Sequence, residues 1–156
     1  MPFPFEFSVP EAVEGVFDGS LNATVFAAFH DPDDLPATNV IQTSQPWGVR
    51  VDWEIHGNLL WLNLNEAFEL SLFIESIGPG PEMRFPPAPV QVLQLSVPVI
   101  AGARTYTRNI NVPAFTLPAG EYKVVTLVQW AAIGNTPKYD VAGMVEQPIL
   151  NIIAVP

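Results

Sequence analysis

The chain has 156 residues, the size of a single domain, and a chain of that length buries roughly 70% of its unfolded surface without needing covalent staples. It contains no cysteine, which excludes disulfides, thiolate catalysis and cysteine-ligated zinc. Sixteen acidic against six basic residues give a net charge of -10, which repels phosphate backbones and argues against nucleic acid as a partner.

In chain order, the first segment is "MPFPFEFSVP". It has no basic start and no long apolar run, so it does not read as a signal peptide. Together with the missing cysteines this favours a cytoplasmic location. No stretch reaches the roughly 18 apolar residues of a membrane span, so membrane insertion is not expected. Phe3, Phe5 and Phe7 alternate behind Pro2 and Pro4. Residues 1–19 are therefore expected to form either an edge strand, where proline is tolerated, or an arm reaching a neighbour.

Residues 20–156 are expected to form one domain. Seventeen prolines are scattered through the chain, and long helices do not survive that spacing. Two-residue alternation dominates instead and predicts an all-β fold. The predicted strands are 22–29, 47–56, 68–77, 90–99, 105–112, 121–131 and 143–155. The clearest is 47–56, where Val49, Val51, Trp53 and Ile55 alternate with Arg50, Asp52 and Glu54. That pattern belongs to a sheet with one buried and one wet face. Residues 30–46 and the Gly- and Pro-rich 78–89 are expected to be irregular links. Within the second link, Met83, Arg84 and Phe85 stand between prolines, either as part of a stiff crossover or as a possible loop contact for a partner.

"LPAGEYKV" precedes the sixth predicted strand. Leu117, Gly120 and Tyr122 match a tyrosine corner, in which a tyrosine hydroxyl near the start of a strand bonds backbone a few residues upstream. On these residues and the strand order, residues 20–155 resemble the immunoglobulin-like β-sandwich superfamily. The resemblance implies a single antiparallel sandwich of about seven strands, with Leu117 packed inward and Gly120 supplying a permissive turn. Antibody-type domains match poorly, because the paired cysteines are absent and Trp53 falls on the second strand instead of the third. Disulfide-free sandwich modules fit better.

If Tyr122 points inward, so do Val124, Thr126, Val128 and Trp130, and Val125 and Leu127 face out. Phe73 faces out on the third strand, and Ile149 and Ile153 on the last. In an immunoglobulin-like sandwich these strands are neighbours, so these residues are expected to form one apolar patch, helped by Phe3, Phe5 and Phe7. Such a patch marks a partner surface; the alternative is that the N-terminal arm or the 78–89 link folds over it. The expected function is a non-enzymatic module for protein docking or self-assembly, its partner another protein or a second copy. The runner-up is a small-ligand or carbohydrate-binding module using Trp47 and Trp61, although these flank opposite ends of the second strand.

An enzyme is not expected. His30 and His56 end adjacent strands at opposite ends, on the order of 25 Å apart at 3.4 Å per residue, too far to share a metal or a proton. The serines show no nucleophile elbow. Asp31, Asp33 and Asp34 lie in one loop, but their spacing departs from a calcium loop and reads as a solvated turn. No metal and no cofactor is expected. The sequon at Asn22 lies in a predicted strand, which argues against its use.

Overall fold

The computed structural model describes residues 5–6, 17–27, 39–131 and 138–154. They form β1 (Phe5–Glu6), β2 (Phe17–Ala27), β3 (Val40–Gln42), β4 (Trp47–Gly57), a one-turn helix α1 (Leu59–Leu62), β5 (Ala67–Ser76), β6 (Glu82–Leu93), β7 (Ala103–Val112), β8 (Gly120–Ala131), β9 (Lys138–Glu146) and β10 (Leu150–Ile153). One sheet has the order β1-β2-β4-β7, and the other β3-β10-β8-β5-β6 with β9 also paired to β8. The two sheets pack face to face as an all-β sandwich, in a layout compatible with an immunoglobulin-like fold.

The strand count exceeds the expected seven. β9 and β10 run along the same side of β8, and Gln147 N–H still donates to Val124 O between them (2.9 Å). They act as one strand interrupted at Pro148, which has no N–H to give. The additions are β3 and β1. β3 pairs parallel with β10, so the sandwich is not wholly antiparallel. β1 pairs Phe5 with Leu21 and Glu6 with Ser20 at the edge of the first sheet. The boundary drawn between residues 19 and 20 falls inside β2. Phe3 and Phe7 lie outside the described residues.

The expectation of an irregular link over 78–89 is corrected. Residues 82–89 belong to β6 despite Pro86, Pro87 and Pro89. Among the described residues β6 pairs only with β5, and an edge strand tolerates proline because half of its backbone groups face away from the sheet. The turn is confined to the preceding residues, where Ser76 Oγ accepts from the N–H groups of Gly78 (3.1 Å) and Gly80 (3.0 Å). At the other end the predicted strand 90–99 stops at Leu93. Gln94 N–H turns to donate to Glu66 O (2.8 Å), and one 3-10 turn follows over Gln94–Ser96. The helix α1 follows β4 directly; Asn58 caps it, its Oδ1 accepting from Leu60 N–H at 2.8 Å.

β4 alternates as its sequence predicts. Val49, Val51, Trp53 and Ile55 are buried, while Arg50, Asp52 and Glu54 are half-exposed. At the centre, Trp53 stacks on Tyr106 (ring centroids 4.9 Å, 9°), and Phe68 stands edge-on to both, at 5.7 Å and 5.2 Å. Trp53 and Tyr106 come from the first sheet and Phe68 from the second, so this trio ties the layers together.

Tyr122 is buried, and its hydroxyl donates to Pro118 O at 2.7 Å. Leu117 is buried below it, and Gly120 opens β8. One hydrogen bond to a partly exposed carbonyl is worth about 1 kcal/mol. Tyr122→Phe is accordingly expected to lower the melting temperature by about 3 °C, as read by calorimetry, with no change in secondary structure. A loss several times larger would show that the hydroxyl does more than pin the corner.

Burial raises the hydroxyl pKa of both Tyr106 and Tyr122 above the ordinary tyrosine value, and nearby Arg104 offsets part of the shift at Tyr106. A group whose folded pKa is raised gives stability that is intact below its unfolded pKa, about 10 for tyrosine, and lost as pH climbs above it. Thermal stability should therefore show no tyrosine-linked loss up to about pH 10 and fall beyond. The 295 nm absorbance of these two phenolates should appear only with unfolding; ionisation of both in the folded protein near pH 10 would contradict their burial.

Candidate interaction surface

The phase of β8 decides the site. With Tyr122 inward, Val124, Thr126, Val128 and Trp130 are buried, while Lys123, Val125, Leu127 and Gln129 are half-exposed on the outer face. Register then aligns its neighbours. Phe73 of β5 stands opposite Val125, and Val125 opposite Glu146 of β9. One step along, Leu127 lies between Ser71 of β5 and Met144 of β9. Phe73 and Met144 are 40% and 49% exposed. Four apolar side chains thus occupy two adjacent rows on three paired strands.

The rim is polar. Arg84 stands opposite Phe73 on β6 and holds its guanidinium 5.6 Å from the ring centroid, a cation–π geometry. Lys123 Nζ lies 3.4 Å from Glu146 Oε1. Glu75 stands opposite Lys123, at the next row. Toward the other end, Glu69 and Ser71 share the outer face of β5 but are buried, so the open apolar area stops at Leu127 and Met144.

The residues expected from sequence are distributed as follows. Phe73, Val125 and Leu127 come together. Ile149 is exposed just before Leu150, which pairs with Tyr122, so it stands beside Lys123. Ile153 is exposed farther along β10, beyond Asn151 and Glu121. Phe5 is placed by its backbone at the edge of the opposite sheet; its side chain, with Phe3 and Phe7, lies outside the described residues. Met83 and Phe85 are half-buried against the core, and Arg84 between them faces out, as alternation along β6 requires. Met144 was missed.

The first sheet presents a different outer face. Arg50 Nε lies 3.4 Å from Asp52 Oδ1, which also accepts from Thr107 Oγ1 at 2.7 Å. Asn22 lies on this face, half-buried. His56 is exposed at the end of β4, 3.7 Å from Glu54. His30, Asp31, Asp33 and Asp34 lie outside the described residues. Among the described residues no three His, Asp or Glu side chains are grouped to hold a metal ion. Among the described residues no helix is long and apolar enough to cross a membrane. The two tryptophans named for glycan binding are drawn inward. Trp47 is buried, and Trp61 is half-buried against Trp130, with ring centroids 6.5 Å apart. Comparison of the chain with known families and with characterised proteins yields no match.

Proposed function

We propose that the chain is an immunoglobulin-like, non-enzymatic sandwich module that works by protein contact, through the outer face of β5, β8 and β9. The observation that carries this reading is the pair of rows Phe73–Val125 and Leu127–Met144, open on one sheet. The other sheet carries paired polar groups on its outer face. Apolar side chains gathered on one face and rimmed by charge favour a partner surface. The tyrosine corner supports the reading indirectly, since it sets which side chains of β8 point outward.

Leu127 lies at the centre of these rows. Leu127→Glu puts a carboxylate where a partner must exclude water, at a cost of about 3 kcal/mol, or roughly 100-fold in Kd. The expected result is loss of the complex with the circular dichroism spectrum and melting temperature retained, because Leu127 faces away from the core. Retained association at wild-type affinity would remove this face from the interface.

A further inference from the structure

We propose that the occupant of the β5–β8–β9 face is the loop end of a second copy of this chain, giving head-to-tail assembly. The inference rests on that face being an interface. At the loop end, His56 stands opposite Ala103, and Ala67 opposite Leu93, so α1 and the segment after β6 emerge side by side. Leu60 and Ile100 are 72% and 71% exposed there, and Leu59 and Leu95 are exposed as well. Segments 57–65 and 93–103 contain no Asp, Glu, Lys, Arg or His.

This end is held rigid from beneath. Gln94 is fully buried; its Nε2 donates to Trp61 O (2.8 Å) and Leu62 O (3.2 Å), and its Oε1 accepts from Trp130 Nε1 (2.9 Å). Buried Arg104 donates to Leu62 O (2.8 Å), to Val97 O and to Asn63 Oδ1 (2.9 Å). Tyr106 donates its hydroxyl proton to Gln94 O. These bonds fasten α1 to the segment after β6. A surface fixed in advance loses little entropy on docking.

Charge selects the occupant. Two copies meeting face to face would bring Glu75, Glu82, Glu121 and Glu146 against their own images. Among the described side chains of this face, Arg84 and Lys123 are the cations that would offset them, and Lys123 is already engaged by Glu146. Like charges set across an interface are strongly disfavoured. Segments 57–65 and 93–103, themselves without charge, carry no such penalty, even on a chain of net charge -10. Edge-to-edge pairing is disfavoured at β6 and β7. β6 carries three prolines, and Arg108 occupies an inward-facing place on β7, between buried Tyr106 and Ile110, yet is exposed; both features guard sheet edges. Two unlike surfaces on one chain make a contact that repeats from copy to copy instead of closing as a two-fold pair.

The test mixes two variants, Leu127→Glu, which spoils the face, and the double variant Leu60→Glu with Ile100→Glu, which spoils the loop end. Circular dichroism first establishes that each is folded. In sedimentation velocity the wild type should grow beyond a dimer with concentration. Each variant alone should stay at the 17.1 kDa chain mass, and a 1:1 mixture should give a heterodimer of twice that mass and nothing larger. If the double variant assembles like wild type while Leu127→Glu does not, the face pairs with something other than the loop end, and this inference fails while the proposed function stands. A mixture that stays monomeric also overturns it. A wild type that is monomeric throughout overturns both this inference and self-association through the face.

Discussion

Replacing Trp53 with alanine is expected to cost about 4 kcal/mol, a large share of the roughly 5–15 kcal/mol that holds a typical domain together. Trp53 is buried on β4, stacked on Tyr106 and edge-on to Phe68. Truncation removes the transfer energy of the indole, leaves a cavity between the sheets and breaks two aromatic pairs worth about 1 kcal/mol each. The companion substitution sharpens the expectation. Among the described residues, Trp53 Nε1 is buried with no hydrogen-bond acceptor. Phenylalanine loses part of the ring but also removes an unsatisfied donor, which itself costs 1–3 kcal/mol or so. Trp53→Phe should therefore lie within about 1.5 kcal/mol of wild type, and Trp53→Ala well beyond it. Urea unfolding of the three proteins reads the difference. Equal losses for Phe and Ala would mean that the indole nitrogen is satisfied or that the cavity collapses.

The second large effect is expected at Arg104. Its guanidinium has no carboxylate partner among the described residues; it is held by Leu62 O, Val97 O and Asn63 Oδ1. Arg104→Met roughly preserves the volume of the side chain and removes a buried charge, which is favourable in itself. It also takes a donor from three acceptors: buried Leu62 O keeps the bond from Gln94 Nε2 (3.2 Å), while Val97 O and Asn63 Oδ1 lose the one from Arg104. A fully orphaned buried acceptor costs about 1–3 kcal/mol and a part-buried one less, so the net loss should be about 1–2 kcal/mol. At an m-value of about 2 kcal/mol/M, the urea midpoint falls by roughly 0.5–1 M. Because the bonds lead to α1, amides of residues 58–66 should lose hydrogen-exchange protection first. Arg104→Lys offers one donor position where three groups are needed and should recover only part of the loss. Wild-type protection over 58–66 in Arg104→Met would show that α1 is held by packing alone.

Much of this fold is legible in the sequence wherever side-chain parity is unbroken. β4 alternates cleanly, and its burial follows. Tyr122 fixes the phase of β8 from a single residue, because the strand period of two turns one inward side chain into an assignment for ten. That is why Phe73, Val125 and Leu127 could be placed together in advance. The same logic explains the miss at Met144. Just before β10 and at its end, Ile149 and Ile153 are exposed, an odd-numbered phase. The interruption at Gln147 and Pro148 inserts one residue against β8, so on β9 the outward side chains are the even-numbered Met144 and Glu146. One inserted residue flips every side chain beyond it, and nothing in "MVEQPIL" marks where.

Other features depend on position in the sheet more than on local pattern. Proline argues against a strand only when the strand is interior, and the edge place of β6 is set by the whole sandwich. β3 is three residues long, and its parallel pairing with β10 is a long-range event. Trp47 and Trp61 looked like surface rings because they flank a strand. Trp47 instead lies within the first residue of β4, where both sheets still overlap, and α1 folds Trp61 back against Trp130.

The measurement that bears most directly on the proposed interface is the solution mass of wild type and Leu127→Glu over a matched concentration series, from micromolar upward. If the chain self-associates through β5, β8 and β9, the wild-type mass rises with concentration while Leu127→Glu stays at 17.1 kDa. Two flat series, or two that rise alike, would contradict it.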